Sequence, residues 1–190
     1  MSRPLQVVIV AGSGRRPSRT LGLLNAIAAQ LGQHLAIHTE VVALSDLGGQ
    51  LLSATELAQL PDPVRQKIAA IESADVLIAG SPVYRASYSG LFKHLFDLVP
   101  QESLIGKPVL LAATGGSDRH ALAIDHQLRP LFAFFQALTL PLGVYANALE
   151  FDNETIISPA LQERIALTVQ RALPVLQAVA ATPVPAHVHV

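Results

Sequence analysis

Nine consecutive residues near the amino terminus, Gly12-Ser13-Gly14-Arg15-Arg16-Pro17-Ser18-Arg19-Thr20, hold more anion-binding capacity than a surface turn needs. They follow the apolar run Leu5 to Ala11, so a buried strand ends where small, hydroxyl and basic side chains begin. A strand passing into a helix through such residues aims backbone N–H groups and the positive end of the helix dipole at an anion. Arg15, Arg16 and Arg19 add charge-assisted donors, while Ser13, Ser18 and Thr20 donate at short range. The chemistry is capture of a phosphate. The dinucleotide fingerprint would place a third glycine where this chain has Pro17, and the nucleotide P-loop needs a lysine that the segment lacks. Hydroxyls and arginines without that glycine suit a terminal phosphomonoester better than a bridging pyrophosphate. A mononucleotide such as FMN fits, and so does a sugar phosphate.

Two further loops have complementary chemistry. Ser81-Pro82-Val83-Tyr84 follows an apolar run at Val76 to Gly80, and its backbone can bond the polar edge of a planar ring beside Tyr84. Thr114-Gly115-Gly116-Ser117-Asp118-Arg119-His120 follows another at Val109 to Thr114, and paired glycines let backbone approach a ligand closely. Lys93 reads as structural or interfacial.

The elements that position these loops alternate along the chain. Strands are predicted at Leu5–Ala11, His38–Leu44, Val76–Gly80, Val109–Thr114 and Leu140–Ala146. Helices are predicted from Leu21 to Leu31, Asp62 to Glu72, Ser89 to Val99, Ala121 to Leu138, and Ser158-Pro159 to Ala180, where Pro174 is a potential kink. Ser45 to Leu60 has no clear period. Near-continuous apolar strands alternating with helices imply a parallel sheet covered on both faces, with ligands at the strands' carboxyl ends. One domain is expected over residues 1–181, with a flexible tail at 182–190.

Composition removes several classes. Lysine plus arginine number 13 against 14 acidic residues, which gives no reason to expect a nucleic-acid surface. Without cysteine there is no disulfide, thiolate metal site or thiol catalysis. Pro130 to Leu149 lacks charge, but Pro141 and Gly143 break it, so a helix and a buried strand explain it better than a membrane span. Phe132, Phe134 and Phe135 within it point to a subunit interface. The amino terminus lacks the pattern of a secretory signal, and a cytoplasmic protein is expected. His34 and His38 fall on different elements without a carboxylate partner, so no metal site is expected.

Gly12-Ser13-x-Arg15-x-x-Ser18-Arg19, Ser81-Pro82-x-Tyr84 with Gly90-x-x-Lys93, and Ala113-Thr114-Gly115-Gly116-Ser117 together resemble the NADPH-dependent FMN reductases, a flavodoxin-like family. Within it the chain is most similar to the reductase components of two-component alkanesulfonate and methanesulfonate monooxygenases. The resemblance implies a flavodoxin-like α/β three-layer sandwich around a five-stranded parallel sheet in order 2-1-3-4-5. It implies that Ser13, Arg15, Ser18, Arg19 and Thr20 hold the FMN phosphate. Pro82, Val83 and Tyr84, joined by Thr114, Gly115, Gly116 and Ser117, would line the flavin ring. Hydride would pass from NADPH to FMN with no catalytic side chain, and reduced FMN would serve a flavin-dependent monooxygenase. A homodimer or homotetramer is implied, with the Ala121–Leu138 helix at the subunit contact. Sulfonate-system relatives can carry an inserted aromatic residue and a π-bulge in this helix, at the position of His126. A quinone or azo-compound reductase that retains FMN and a flavodoxin-like electron carrier are the alternatives, and near-neutral charge argues against the carrier.

Overall fold

A computed structural model describes residues 3–182. Strand β1 (Leu5–Ala11) is buried at every position except Gln6, as a strand covered on both faces must be. It lies between β2 (Ile37–Ala43) and β3 (Val76–Pro82), and β4 (Pro108–Gly115) follows β3, all in parallel. Two short segments, β5 (Leu138–Thr139) and β6 (Val144–Asn147), share the last position beside β4. The expected order 2-1-3-4-5 is present, but the continuous fifth strand predicted over Leu140–Ala146 is not. Leu140 N–H still reaches the Val109 carbonyl at 2.9 Å. Pro141 then has no N–H to offer, and the chain leaves the ladder until Val144.

Alternation along the strands divides the interior in two. Val7, Ile9 and Ala11 face α1 (Arg19–Gly32) and α6 (Pro159–Ala181). Val8 and Val10 face the other layer, built from α2 (Leu44–Leu52), α3 (Asp62–Ser73), α4 (Gly90–Asp97) and α5 (Arg129–Phe134). Helix α6 runs through Pro174 without ending. Helix α2 and a 3₁₀ turn at Leu57–Gln59 fill most of the segment that showed no clear period.

The helix expected from Ala121 to Leu138 is shorter, covering residues 123–134, and is π-helical in its first half. A 3₁₀ turn at Asp118–His120 and a π-helical segment at Ile124–Leu128 precede α5. In the π segment the Arg129 N–H donates to the Ile124 carbonyl five residues back, and His126 lies within this widened turn. Pro130 comes next and cannot donate to the carbonyl of His126, so an ordinary α register would lose that bond anyway. The aromatic cluster also departs from expectation. Phe132 and Phe135 are in the core, with Phe132 edge-on to Phe96 at 4.9 Å, and only Phe134 reaches solvent. Among the described residues no helix is long and apolar enough to cross a membrane. Residues 183–190 of the expected tail lie outside the described residues.

Lys107 ties the base of β4 to the end of α3. Its Nζ donates to the carbonyls of Ile71 (3.0 Å) and Glu72 (2.6 Å), satisfying acceptors that a helix end leaves open. Burial pushes its pKa down to about 8, against the opposing pull of Asp75 and Glu72. Between about pH 8 and the ordinary lysine value of about 10.4 the unfolded chain therefore holds the extra proton. Stability contributed by this group rises with pH across that window. Urea unfolding of the wild type and Lys107→Met at both ends of the window should show the difference shifting in favour of the wild type at the higher pH. A difference independent of pH would contradict this.

Candidate functional site

The carboxyl ends of β1, β3 and β4 meet because their registers place Ala11 beside Gly80 and Pro82 beside Thr114. Backbone bonds continue past the strands, with Gly12 N–H on the Gly80 carbonyl and Val83 N–H on the Thr114 carbonyl, both at 2.7 Å. Two buried hydroxyls fasten the start of α4 to this junction. Ser89 Oγ accepts the Phe92 N–H (3.1 Å) and donates to the Gly12 carbonyl (2.7 Å). Ser81 Oγ accepts the Ser89 N–H (2.9 Å) and donates to the Pro82 carbonyl (2.9 Å).

A cavity of about 470 Å³ opens over these ends. Its wall includes Ser13, Arg15, Ser18, Arg19 and Thr20 from the first loop, Pro82, Val83 and Tyr84 from the second, and Thr114, Gly115 and Gly116 from the third. Ser117 is not part of the wall, and its carbonyl accepts the Tyr145 hydroxyl at 2.5 Å. The hydroxyls have distinct tasks. Ser13 Oγ donates to the Arg15 carbonyl at 3.1 Å and so closes its own loop. Ser18 caps α1 by accepting the Leu21 N–H, which leaves its proton to donate elsewhere. Thr20 and Thr114 share a buried hydroxyl pair at 2.7 Å that joins the first loop to the third.

The three arginines are not equivalent. Arg16 also borders the cavity but pairs with Asp46 on α2 at 2.8 Å, and the guanidinium's hydrogen bond holds the Asp46 carboxyl below its usual range. Among the described residues Arg15 and Arg19 make no ion pair, and both line the cavity. Their charge is available to an incoming anion. Lys93 pairs with Asp97 one helical turn along α4.

On the second loop, Tyr84 begins a tight turn closed by Tyr84 N–H on the Ser87 carbonyl (2.8 Å) and Ser87 N–H on the Tyr84 carbonyl (3.2 Å). Both central residues, Arg85 (φ 52°) and Ala86 (φ 68°), take the left-handed conformation that a primed hairpin turn demands. Without glycine there the turn is strained. Ser87 Oγ also donates to Gln127 Oε1 at 3.0 Å, linking the Tyr84 loop to the π-helical segment.

Sequence reasoning missed the far wall of the cavity. Ala148 and Asn153 complete it, and Asn153 is part of the turn of a hairpin formed by β7 (Phe151–Asp152) and β8 (Thr155–Ile156). Asn153 sits at φ 54°, a conformation asparagine tolerates. The available signal was Asp152-Asn153 between apolar Phe151 and Ile156.

A larger groove of about 680 Å³ lies beyond β6. Its wall carries Asp118, Asp125 and Glu150 with Arg164. Burial works against ionisation of Glu150, yet bonds from Arg164, the Asn147 N–H and Ser158 hold its carboxyl below the usual range. Three carboxylates against one arginine, itself paired to Glu150, disfavour a phosphate there. Charge and position both favour the smaller cavity for an anion. It lies at the switch point between β1 and β3, where open parallel sheets bind ligands. Among the described residues no group of three or more metal-ligating side chains is arranged to hold an ion.

Fold and loop placement define a flavodoxin-like domain with a cavity over the carboxyl ends of its central strands. Residues 5–151 match the family described as NADPH-dependent FMN reductase, and the chain belongs to that family. It is an oxidoreductase of the class that uses FMN and a reduced nicotinamide nucleotide. It is 53% identical over 174 residues to an FMN reductase (NADPH) from Pseudomonas aeruginosa, covering 92% of this chain and 94% of the relative. It is also 53% identical over 174 residues to the NADH-dependent FMN reductase SfnF from Pseudomonas fluorescens, at 92% and 93% coverage. Among solved structures, an apo NADH:FMN oxidoreductase (EMOB) superposes with a TM-score of 0.79 at 27% identity, covering 90% of this chain and 89% of that one. A flavodoxin WrbA-like protein from Agrobacterium tumefaciens, at 16% identity and a TM-score of 0.62 over 91% of this chain and 98% of that one, shares the fold.

The paired glycines differ sharply. A Cβ on Gly115 would stand 2.1 Å from the Tyr145 hydroxyl, whereas one on Gly116 would meet nothing within 4 Å. Gly115→Ala should therefore cost about 1–3 kcal/mol by displacing Tyr145 from the Ser117 carbonyl. Gly116→Ala should stay within about 0.5 kcal/mol of the wild type. Urea denaturation of the two variants separates these outcomes, and equal costs would mean that Tyr145 does not constrain Gly115.

Proposed function

We propose that the protein reduces FMN bound in the cavity at the ends of β1, β3 and β4 and passes reduced FMN to a flavin-dependent sulfonate monooxygenase. The observation carrying the binding site is the partly unfilled donor set at the α1 amino terminus. There Arg15 and Arg19 lack ion-pair partners, the Ser18 hydroxyl retains its proton, and the first helical turn leaves backbone N–H groups to an outside acceptor. A dianionic phosphomonoester fits that set. The Cβ-free space at Gly116, opposite Pro82 to Tyr84, leaves room for a flat ring against backbone.

FMN, when bound, supplies the two-electron acceptor for hydride from the nicotinamide, so no side chain here is assigned an acid, base or nucleophile role. The chain's part is positional. Arg15, Arg19 and the α1 terminus fix the phosphate end. The backbone of Gly115 and Gly116 offers N–H donors where charge builds at the ring's polar edge. Tyr84, on its strained turn, covers the rim. Relatives of equal identity are named for NADPH in one case and NADH in the other, and Arg15, Arg16 and Arg119 are the candidates for meeting a 2′-phosphate.

The sulfonate monooxygenase partner is supported by the motif resemblance. The protein is read as cytoplasmic and as a homodimer or homotetramer. Support for association comes from Leu122, Leu142 and Leu149, which are exposed along the larger groove.

Purified protein should oxidise NADPH or NADH rapidly only when free FMN is added. Turnover that needs a quinone instead would move the assignment to a quinone reductase, and FMN binding without nicotinamide oxidation would move it to a carrier. Arg15→Ala should weaken FMN by roughly 1.5–3 kcal/mol, about ten- to a hundredfold, while leaving riboflavin unaffected. Gly116→Val should remain folded and lose affinity for both flavins, as read by flavin fluorescence titration.

A further inference from the structure

Four N–H groups at the start of α1 have no acceptor within the helix, those of Ser18, Arg19, Thr20 and Leu21. Leu21 is served by Ser18 Oγ at 3.1 Å. Ser18 is served by an acid from elsewhere in the chain, the carboxylate Oε1 of Glu154. Only the Arg19 and Thr20 groups are left to an outside acceptor, and both residues line the cavity. An anionic side chain thus already occupies part of the donor set that a phosphate would use.

The placement of Glu154 is set by backbone contact. The β7–β8 hairpin is anchored by buried Phe151, and its turn lies directly against α1. A Cβ at Gly22 would stand 2.2 Å from the Glu154 carbonyl oxygen, so only glycine lets the two backbones approach this closely. The side chain is half-buried, and its neighbour Asn153 lines the cavity. Glu154 also lies beyond residues 5–151, the segment matching the family.

We propose that Glu154 is an affinity-setting residue for the flavin phosphate. Its carboxylate holds the Ser18 N–H and places a like charge beside the incoming phosphomonoester, which favours release of FMN. This rests on the cavity being the FMN site. A phosphate entering the cradle must either displace the carboxylate from Ser18 or bind through the remaining donors beside a fixed negative charge. Both routes weaken a charged flavin and leave riboflavin, which lacks the phosphate, untouched. The two unpaired arginines then offset a repulsion built into the site.

Fluorescence titration of FMN and riboflavin against wild type, Glu154→Gln, Glu154→Ala and Arg15→Ala tests this, with thermal melts confirming that each variant folds. Glutamine keeps an acceptor for Ser18 and removes only the charge, and alanine removes both. Glu154→Gln should raise the ratio of FMN to riboflavin affinity by roughly five- to twentyfold, as expected for one like charge across a partly screened site. Glu154→Ala should raise it at least as much. An unchanged or lowered ratio in both Glu154 variants, with Arg15→Ala lowering it, would overturn the role of Glu154 and leave the phosphate site standing. If Arg15→Ala also leaves the ratio unchanged, the site assignment itself fails. Equal tightening of both flavins would show an effect not acting through phosphate, which also overturns the proposal.

Discussion

The structure depends on two serine hydroxyls, those of Ser81 and Ser89, each of which donates once and accepts once in a buried junction. Three strand ends and the start of α4 bring several polar backbone groups into a buried region. Leaving such a group unpaired costs about 1–3 kcal/mol. The two hydroxyls answer four groups at once: the Phe92 and Ser89 N–H and the Gly12 and Pro82 carbonyls. With these satisfied, the first and second loops leave their strands at fixed positions. The third is drawn in by the Thr20–Thr114 hydroxyl pair. Side chains of larger volume at these points would separate the loops and dissolve the cavity they surround.

A division of labour among like residues follows from that frame. The basic residues of the first loop have the same charge but different surroundings. All three border the cavity, but Arg16 is paired with Asp46 of α2, while Arg15 and Arg19 have no ion-pair partner among the described residues. The hydroxyls divide likewise: Ser13 donates within its own loop, whereas Ser18 only accepts at the helix cap and keeps its proton. Donor identity alone says little here. What matters is whether a neighbour has already claimed the donor.

Much of this was legible in the chain. The three loops stood out because each follows an apolar run that can only be a buried strand, and strand order places such ends together. Eleven of the twelve residues singled out line one cavity, all except Ser117. Other features were hidden for identifiable reasons. Leu44, Leu47 and Leu51 have helical spacing, but Gly48-Gly49 between them mimics a loop. Pro141 breaks an apolar run that otherwise reads as one strand. The phenylalanine triplet looked like an interface because composition cannot show which ring meets Phe96. Glu154 was invisible for a different reason. Its partner Ser18 is 136 positions away, and no periodicity encodes a contact between a hairpin turn and a helix start.

The broken strand beside β4 bears on how chains can meet. A continuous outer strand presents a row of unpaired N–H and carbonyl groups, a template along which a second sheet can grow. Here that margin is divided into pieces of two and four residues, with Pro141 between them. No unbroken ladder is offered on that side. Copies that meet on that side must recognise one another through side-chain shape and charge, and the seven-residue β2 is left as the sheet's one continuous margin.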